Sequence, residues 1–451
     1  MLKIRASFWV VLSLFVACVV ITRIPLFQKD AVIFSRLAFL WGGLLAVSFL
    51  WTYYGLRNIR FERRTRTLRH HVGEPFEEFY RVTNQSWLLR PHIEVLDRSR
   101  LPASQGTRVL TAIGAHQARS YQAFTLLTRR GLFNLGPTEL RSGDMFGLFQ
   151  VTRTFVSESN LLVTPYMVDL SAFASPPGLL FGGRSQRRRT LDTTPYAASV
   201  REYSQGDPLN RVHWPSTARR NKLMVKEFEL DPQAEAWIFL DAQEELHTKE
   251  DEDFRKVEHE LADSWLYKKH PTITLPRETI EYAVSIAASL VKFYIQNGQA
   301  VGLGVSMQQM TVLPAEKGER QLNKLLETLA FIEPSGKLPL HALTSMQGEH
   351  IPMGSTLVLI TPSPGKEVYI TVEDLLRRKL QPVVVLLDAS SFGGYASTQK
   401  IFNTLTDMNI PVYQIKYGDN LKTALQVETL PSQPLNWWKE SCEAASISTD
   451  R

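Results

Sequence analysis

The chain has 451 residues, 44% of them hydrophobic and 21% charged, with a formal net charge of +6. That length leaves room for about three domains, and the composition is that of a folded chain rather than a disordered or collagen-like one. Cys18 and Cys442 stand apart, with no Cys-x-x-Cys, which argues against a disulfide framework or a cysteine zinc centre.

The front of the chain is apolar. Ser7 to Thr22 carries no charge, and Ile33 to Leu56 carries only Arg36. A membrane span needs about 17 to 25 residues, so the first run is short and the second comfortable. Trp51, Tyr53 and Tyr54 close the second run as an interfacial belt would. Lys3 and Arg5 precede the first run, while Arg57, Arg60, Arg63, Arg64, Arg66 and Arg69 follow the second. This bias puts both outer ends, and everything after Leu56, on the cytoplasmic side. Residues 1–60 are therefore expected to form an anchor of two transmembrane helices, about 7–22 and 33–56. The arginines fit topology and lipid headgroups better than nucleic acid. A rival reading takes Val16-Ala17-Cys18 as a lipoprotein signal, against which the apolar run continues past Cys18.

Residues 61–170 read as a β-rich, sandwich-like module. Short apolar runs such as Phe76 to Val82, Ile93 to Val95 and Phe124 to Leu127 alternate with turn residues, among them Asn84, Gly106, Gly114 and Gly136-Pro137. Residues 171–234 read as a linker followed by a dense motif. Pro176-Pro177-Gly178 and Gly182-Gly183 stop regular structure. Arg184, Arg187, Arg188 and Arg189 then suit a solvated loop more than a phosphate or RNA site.

The motif runs Arg201-Glu-Tyr203, Gly206-Asp207, Arg211-Val-His213-Trp214, Thr217-Ala-Arg219 and Val225-Lys226-Glu227. It admits three readings. One is a structural network in which Arg201, Asp207, Arg211, Arg219 and Lys226 pair charges and Trp214 supplies buried area. A second is anion capture by Arg211, Arg219 and Lys226, whose donors suit phosphate or carboxylate. A third makes His213 a general base oriented by Asp207, although no nucleophile elbow accompanies it. The structural or docking reading is preferred.

Residues 235–430 read as an α/β doubly wound domain. Ala236 to Leu240 is a continuous apolar run ending in Asp241, as a buried parallel strand does. Glu244 to Pro271 is largely charged and reads as an exposed insertion. Ile280, Ala283, Val284, Ala287, Leu290, Val291 and Tyr294 mark an amphipathic helix opened by Thr279 and ended by Asn297-Gly298. Further strands are expected at 300–305, 309–313, 356–360, 382–387 and 410–416, with helices at 319–332, 372–379 and from 420. Residues 431–451 read as a disordered tail. Gly302-x-Gly304 sits inside a strand and is too short for a dinucleotide fingerprint. No phosphate loop and no His-Glu-x-x-His occurs.

These motif residues resemble the bacterial family known as domain of unknown function fifty-eight. Supporting pieces are the paired apolar runs, Arg130-Gly131, Gly147-Leu-Phe149 and Gly318-Glu-Arg320-Gln-Leu322. The resemblance implies a membrane-anchored protein of the bacterial cytoplasmic (inner) membrane, with a β-rich module and a von Willebrand factor A-like domain. It also implies gene neighbours, a MoxR-type AAA+ ATPase and a transglutaminase-like membrane protein, as partners. Von Willebrand A domains often hold Mg²⁺ through Asp-x-Ser-x-Ser and a later aspartate. This chain reads Asp241-Ala-Gln243-Glu-Glu245, and its later strand ends Ile360-Thr361-Pro362-Ser363. Both serines and the second aspartate are missing, so a degenerate, metal-free site is expected, with Mg²⁺ at Asp241, Gln243 and Glu245 as the alternative. The sequence reading is thus a non-enzymatic scaffold without cofactor. Its competitor is an anion receptor or enzyme built on Arg211, His213 and Arg219.

Overall fold

The computed structural model describes residues 2–24, 31–157, 159–173, 197–204, 212–228, 235–248, 275–307, 309–394 and 396–426. Gly206, Asp207, Arg211, most of the expected charged insertion and the 431–451 tail lie outside them. The described chain divides into two compact units, one up to Tyr166 and the other from Met167, the latter without Leu275 and Pro276.

The first unit opens with β1 (Leu2–Ile4), α1 (Ala6–Ile21) and α2 (Ala31–Gly55). Both helices are uncharged over most of their length and expose large apolar side chains, such as Phe39 at 81%. Of these, α2 is long and apolar enough to cross a membrane, while α1 falls short by length. The strands that follow are β2 (Ile59–Thr65), β3 (Arg69–His71), β4 (Pro75–Asn84), β5 (Arg90–Asp97), β6 (Arg108–Ile113), β7 (Ala118–Leu126), β8 (Gly131–Asn134), β9 (Thr138–Gly143), β10 (Phe149–Phe155) and β11 (Asn160–Thr164). They form sheets ordered β1-β10-β9-β5-β6, β2-β4-β7 and β3-β11-β8. Pairing is antiparallel except between β3 and β11. Period-two alternation supplies one apolar face per strand. Tyr80 and Val82 of β4, Tyr121 and Ala123 of β7, Ile93 and Val95 of β5, and Leu140 of β9 meet in a shared core. A smaller cluster around Phe76, Leu127, Leu161 and Val163 serves the third sheet.

The second unit holds β12 (Ala197–Glu202), α3 (Trp214–Arg220) and β13 (Met224–Phe228), then β14 (Ala236–Leu240), α4 (Thr279–Gln296), β15 (Val301–Ser306), β16 (Met310–Glu316), α5 (Glu319–Ala330), α6 (Leu340–Gly348), β17 (Thr356–Thr361), α7 (Glu367–Arg377), β18 (Gln381–Leu387), α8 (Gln399–Asp407), β19 (Val412–Ile415) and α9 (Leu421–Ala424). A six-stranded sheet runs β16-β15-β14-β17-β18-β19. It is parallel except for β16, which lies antiparallel to β15 at one edge. Trp237, Phe239, Leu357, Leu359, Val384 and Leu386 form one core with Leu343 of α6, Val372 and Leu375 of α7 and Leu405 of α8. The alternate residues of the same strands face the other way, and α4 packs against β14, β15, β17 and β18. The second unit therefore has helices on both faces of a mostly parallel sheet. Helix α6, which no sequence pattern marked, is an addition, and α7 starts at Glu367 rather than near Val372.

Strand order reverses beside β14, whose neighbours β15 and β17 continue the chain in opposite directions across the sheet. Such a reversal opens a crevice at the carboxyl ends of the strands, where ligands of doubly wound sheets bind. The fold thus aims attention at Asp241 and at Thr361.

Candidate functional site

Asp241 follows β14 and is 1% exposed. Its Oδ2 accepts from the Thr361 hydroxyl at 2.7 Å and its Oδ1 from the Gln243 N–H at 3.2 Å. Burial pushes the Asp241 carboxyl above its ordinary value, the Thr361 and Gln243 hydrogen bonds pull it back, and Glu367 adds to the rise. Thr361 Oγ1 also accepts from the Ser363 N–H at 3.0 Å. The cavity beside these groups measures about 10 Å³, with Asp241, Gln243, Thr361, Ser363 and Glu367 in its wall. That is room for about one water.

Glu245 is not part of this wall. It stands exposed on a 3-10 turn, Glu244–Leu246, so the expected trio of Asp241, Gln243 and Glu245 is not brought together. An octahedral Mg²⁺ draws several hard oxygens to about 2.1 Å. The wall offers two carboxylates, and both oxygens of Asp241 already accept from protein donors. Among the described residues, no group of three or more His, Cys, Asp or Glu stands close enough to hold a metal.

His247 lies beside this edge, although in sequence it reads as part of a charged insertion. It is 7% exposed, with Nε2 2.8 Å from the Asp241 carbonyl and Nδ1 2.8 Å from Thr279 Oγ1. The ring ties the loop after β14 to the first residue of α4. Nothing in its spacing marks that role, because Thr279 is 32 residues away.

The motif forms a hairpin with a helical excursion. β12 and β13 pair antiparallel, with Arg201 opposite Val225, Val200 opposite Lys226 and Ser199 opposite Glu227. The Tyr203 N–H donates to Leu223 O at 2.9 Å and the His213 N–H to Met224 O at 2.8 Å. Between them, α3 begins with Pro215 in its first turn, where a missing N–H costs nothing, and ends at Asn221 in the left-handed region. The His213 carbonyl accepts from Ser216 N, Thr217 N and Thr217 Oγ1, and Thr217 Oγ1 accepts from Met224 N at 3.0 Å. Thr217 is therefore the staple between α3 and β13. His213 Nδ1 lies 2.8 Å from Ser216 Oγ, so one ring nitrogen is engaged locally.

The motif's largest side chain faces outward. Trp214 is 68% exposed, which overturns the expectation that it supplies buried area; among the described side chains of the motif, Val212, Met224 and Val225 are buried. Arg219 and Arg220 are exposed in the last turn of α3. Lys222 meets Glu202 at 2.9 Å with both side chains 65% exposed, a pair worth little to stability. Tyr203, His213, Trp214 and Arg219 all lie on this hairpin and its helical excursion.

A second polar cluster, unforeseen in the sequence, lies in the first unit. Arg63 of β2 contacts Glu78 of β4 at 2.6 Å and Asp97 of β5 at 3.1 Å, with side chains 7%, 0% and 1% exposed. Tyr80 donates to Glu78 at 3.1 Å and stacks on Tyr121, whose hydroxyl donates to Gly106 O at 2.7 Å. Burial drives both tyrosine hydroxyls above their ordinary range, and burial raises Glu78 while Arg63 pulls it back. The cluster joins the sheet of β2 and β4 to the sheet of β5.

Residues 199–262 match the family described as protein of unknown function DUF58. The uncharacterized protein YeaD of Bacillus subtilis (strain 168) is 23% identical over 304 residues, covering 65% of each chain. The chain thus spans just under two thirds of that relative's length. Together the two matches support membership of the DUF58 family. A β-glucosidase of Listeria innocua, solved in complex with gluconolactone, aligns over 24% of this chain and 17% of its own at 12% identity. Its TM-score of 0.15 carries no argument about fold or activity.

Proposed function

We propose that this DUF58-type chain is a non-enzymatic scaffold of the bacterial cytoplasmic membrane. In this reading α1 and α2 are a two-helix anchor, and the β-rich unit and a von Willebrand A-like unit lie in the cytoplasm and bind proteins. The observation that carries it is the closed switch point. Where a doubly wound sheet opens a ligand crevice, Asp241 is sealed by Thr361 and Gln243 beside a cavity of about 10 Å³. The site then works without a resident cation, and Asp241 serves to fix the strand ends. What remains for recognition is surface, and α3 offers Trp214, Arg219 and Arg220 there. Exposed tryptophan and arginine are the residue types that dominate interface energetics.

A MoxR-type AAA+ ATPase is the proposed partner, and a transglutaminase-like membrane protein a further one. The test uses full-length protein in detergent, mixed with such an ATPase and a non-hydrolysed ATP analogue. Wild type should retain the ATPase, and Trp214→Ala with Arg219→Ala should release it while melting at an unchanged temperature. Failure of wild type to retain it would remove the reading. The competing anion-receptor or enzyme reading draws on the exposure of Arg219; phosphate binding lost in Arg219→Ala would favour it.

A further inference from the structure

Two short loops of the first unit flank the roots of the apolar helices. The first, residues 85–89, follows β4. Its Gln85 N–H donates to Asn58 O at 2.9 Å, and Arg90 Nη2 donates to Arg57 O at 3.2 Å, so the loop is tied to the turn that leaves α2. Asn84 holds it rigid: Nδ2 donates to Leu88 O at 2.8 Å, and Oδ1 accepts from Ser86 N at 3.1 Å and Ser86 Oγ at 2.6 Å. Trp87 and Leu89 nevertheless stand 81% and 49% exposed.

The second loop joins β9 to β10. Asp144 accepts from the N–H groups of Phe146, Leu148 and Phe149 at 2.7–2.9 Å. The Arg5 N–H donates to Leu148 O at 3.0 Å, and Ser7 Oγ donates to Gly147 O, which ties this turn to the start of α1. Met145 and Phe146 project 70% and 59% exposed.

Four large apolar side chains on two rigid loops are thus displayed beside the points where both helices leave the β unit. Burying apolar surface gains about 25 cal/mol per Å², so the outward display leaves a large gain unrealised unless something covers it. The helices fix what lies at that level. Tryptophan and phenylalanine favour the headgroup layer, and the exposed Arg5 and Arg57 beside them suit anionic lipid.

We infer that Trp87 with Leu89, and Phe146 with Met145, insert into the bilayer interface and seat the β unit on the membrane surface. The inference rests on the reading of α1 and α2 as an anchor. Two-point seating restrains the unit from swinging about its helix roots.

The test places a nitroxide label at single cysteines in full-length protein carrying Cys18→Ala and Cys442→Ser. The positions are Trp87→Cys, Phe146→Cys, Phe39→Cys in mid-α2, and Val156→Cys, which is 82% exposed beyond the opposite end of β10. The variants are reconstituted into vesicles of phosphatidylethanolamine and phosphatidylglycerol. The ratio of oxygen to nickel-chelate accessibility reports depth. Labels at 87 and 146 should give ratios several-fold above that at 156 and below that at 39. Ratios at 87 and 146 equal to that at 156, with 39 deep, overturn the inference and leave the anchor standing. A shift at only one loop overturns two-point seating. A label at 39 no deeper than that at 156 removes the anchor itself.

Discussion

Arg63 shows how a single charge decides the packing of a unit. It stands between Glu78 and Asp97 with all three side chains nearly or fully buried. Removing one partner of a buried pair leaves an uncompensated charge, at about 3–5 kcal/mol. Arg63→Ala should therefore lower the denaturation midpoint of the first unit sharply, by chemical denaturation followed by circular dichroism. Arg63→Lys should recover part of the loss, since lysine keeps the charge but not the planar fork that reaches two carboxylates. Asp241 argues the opposite way. Its carboxyl is raised above the ordinary value of 3.8, chiefly by burial. A raised acid binds its proton more tightly when folded, so folding loses stability as pH climbs from the ordinary value through the raised one. Asp241→Asn has no charge to bury. In thermal melts from pH 4 upward, wild type should fall relative to Asp241→Asn; a wild type that instead rises relative to the variant as pH climbs would refute the assignment. Arg63's environment was not legible in the sequence, because Asp97 lies 34 positions away; for Asp241 the family resemblance brought the Ile360-Thr361 strand end to the same edge, though not the hydrogen bond that joins them.

At the scale of elements, spacing and apolar runs located the main helices and strands of the second unit. Ile280, Ala283, Val284, Ala287, Leu290, Val291 and Tyr294 gave the helical period and are buried along α4, but Tyr282, Ser285, Ile286, Ala288 and Ser289 are buried too, so α4 is covered nearly all round rather than amphipathic. The apolar run 236–240 became the central β14 because a strand covered on both faces needs no alternation. Elements whose reason lies in a distant partner stayed hidden. β1 is three residues that look like a flank of the apolar run, and it exists because Phe149 to Val151 offers an open edge. Gly302 and Gly304, which hint at a nucleotide turn, have a packing cause instead. A Cβ at Gly302 would sit 2.6 Å from the Trp237 ring, and one at Gly304 would sit 2.5 Å from Phe239. The glycines of β15 make room for the aromatics of β14. Gly304→Ala should cost about 1–3 kcal/mol by overpacking, and pairing it with Phe239→Leu should return part of that loss in a double-mutant cycle. Thr217→Val should loosen α3 from β13 by about 1 kcal/mol, the scale of a lost hydrogen bond, seen as faster amide exchange at Met224.

At the scale of the molecule, charge and hydrogen bonding each bear on the proposed topology. Lys3 and Arg5 flank the start of α1, and a run of arginines from Arg57 follows α2; under the proposed two-helix anchor this bias would place both ends in the cytoplasm. The structure adds a mechanical reason. Arg5 is held by Leu148 of the β unit, and the chain leaving α2 enters that same unit at Ile59, paired with Asn84. Two helices whose outer ends join one folded body must cross in opposite directions or not at all. At 1.5 Å per residue, the 25 residues of α2 reach about 37 Å, and the 16 of α1 reach about 24 Å. A hydrocarbon layer of about 30 Å suits a tilted α2 and leaves α1 short, so the proposed anchor requires α1 to cross only with its partner and with local thinning. A green fluorescent protein fused after Arg451 should fluoresce, and an alkaline phosphatase fused there should stay inactive. Alkaline phosphatase inserted between the two helices should be active. Inactivity there, with the C-terminal fusions as stated, would show that α1 and α2 do not cross as a pair and would confine the anchor to a peripheral contact.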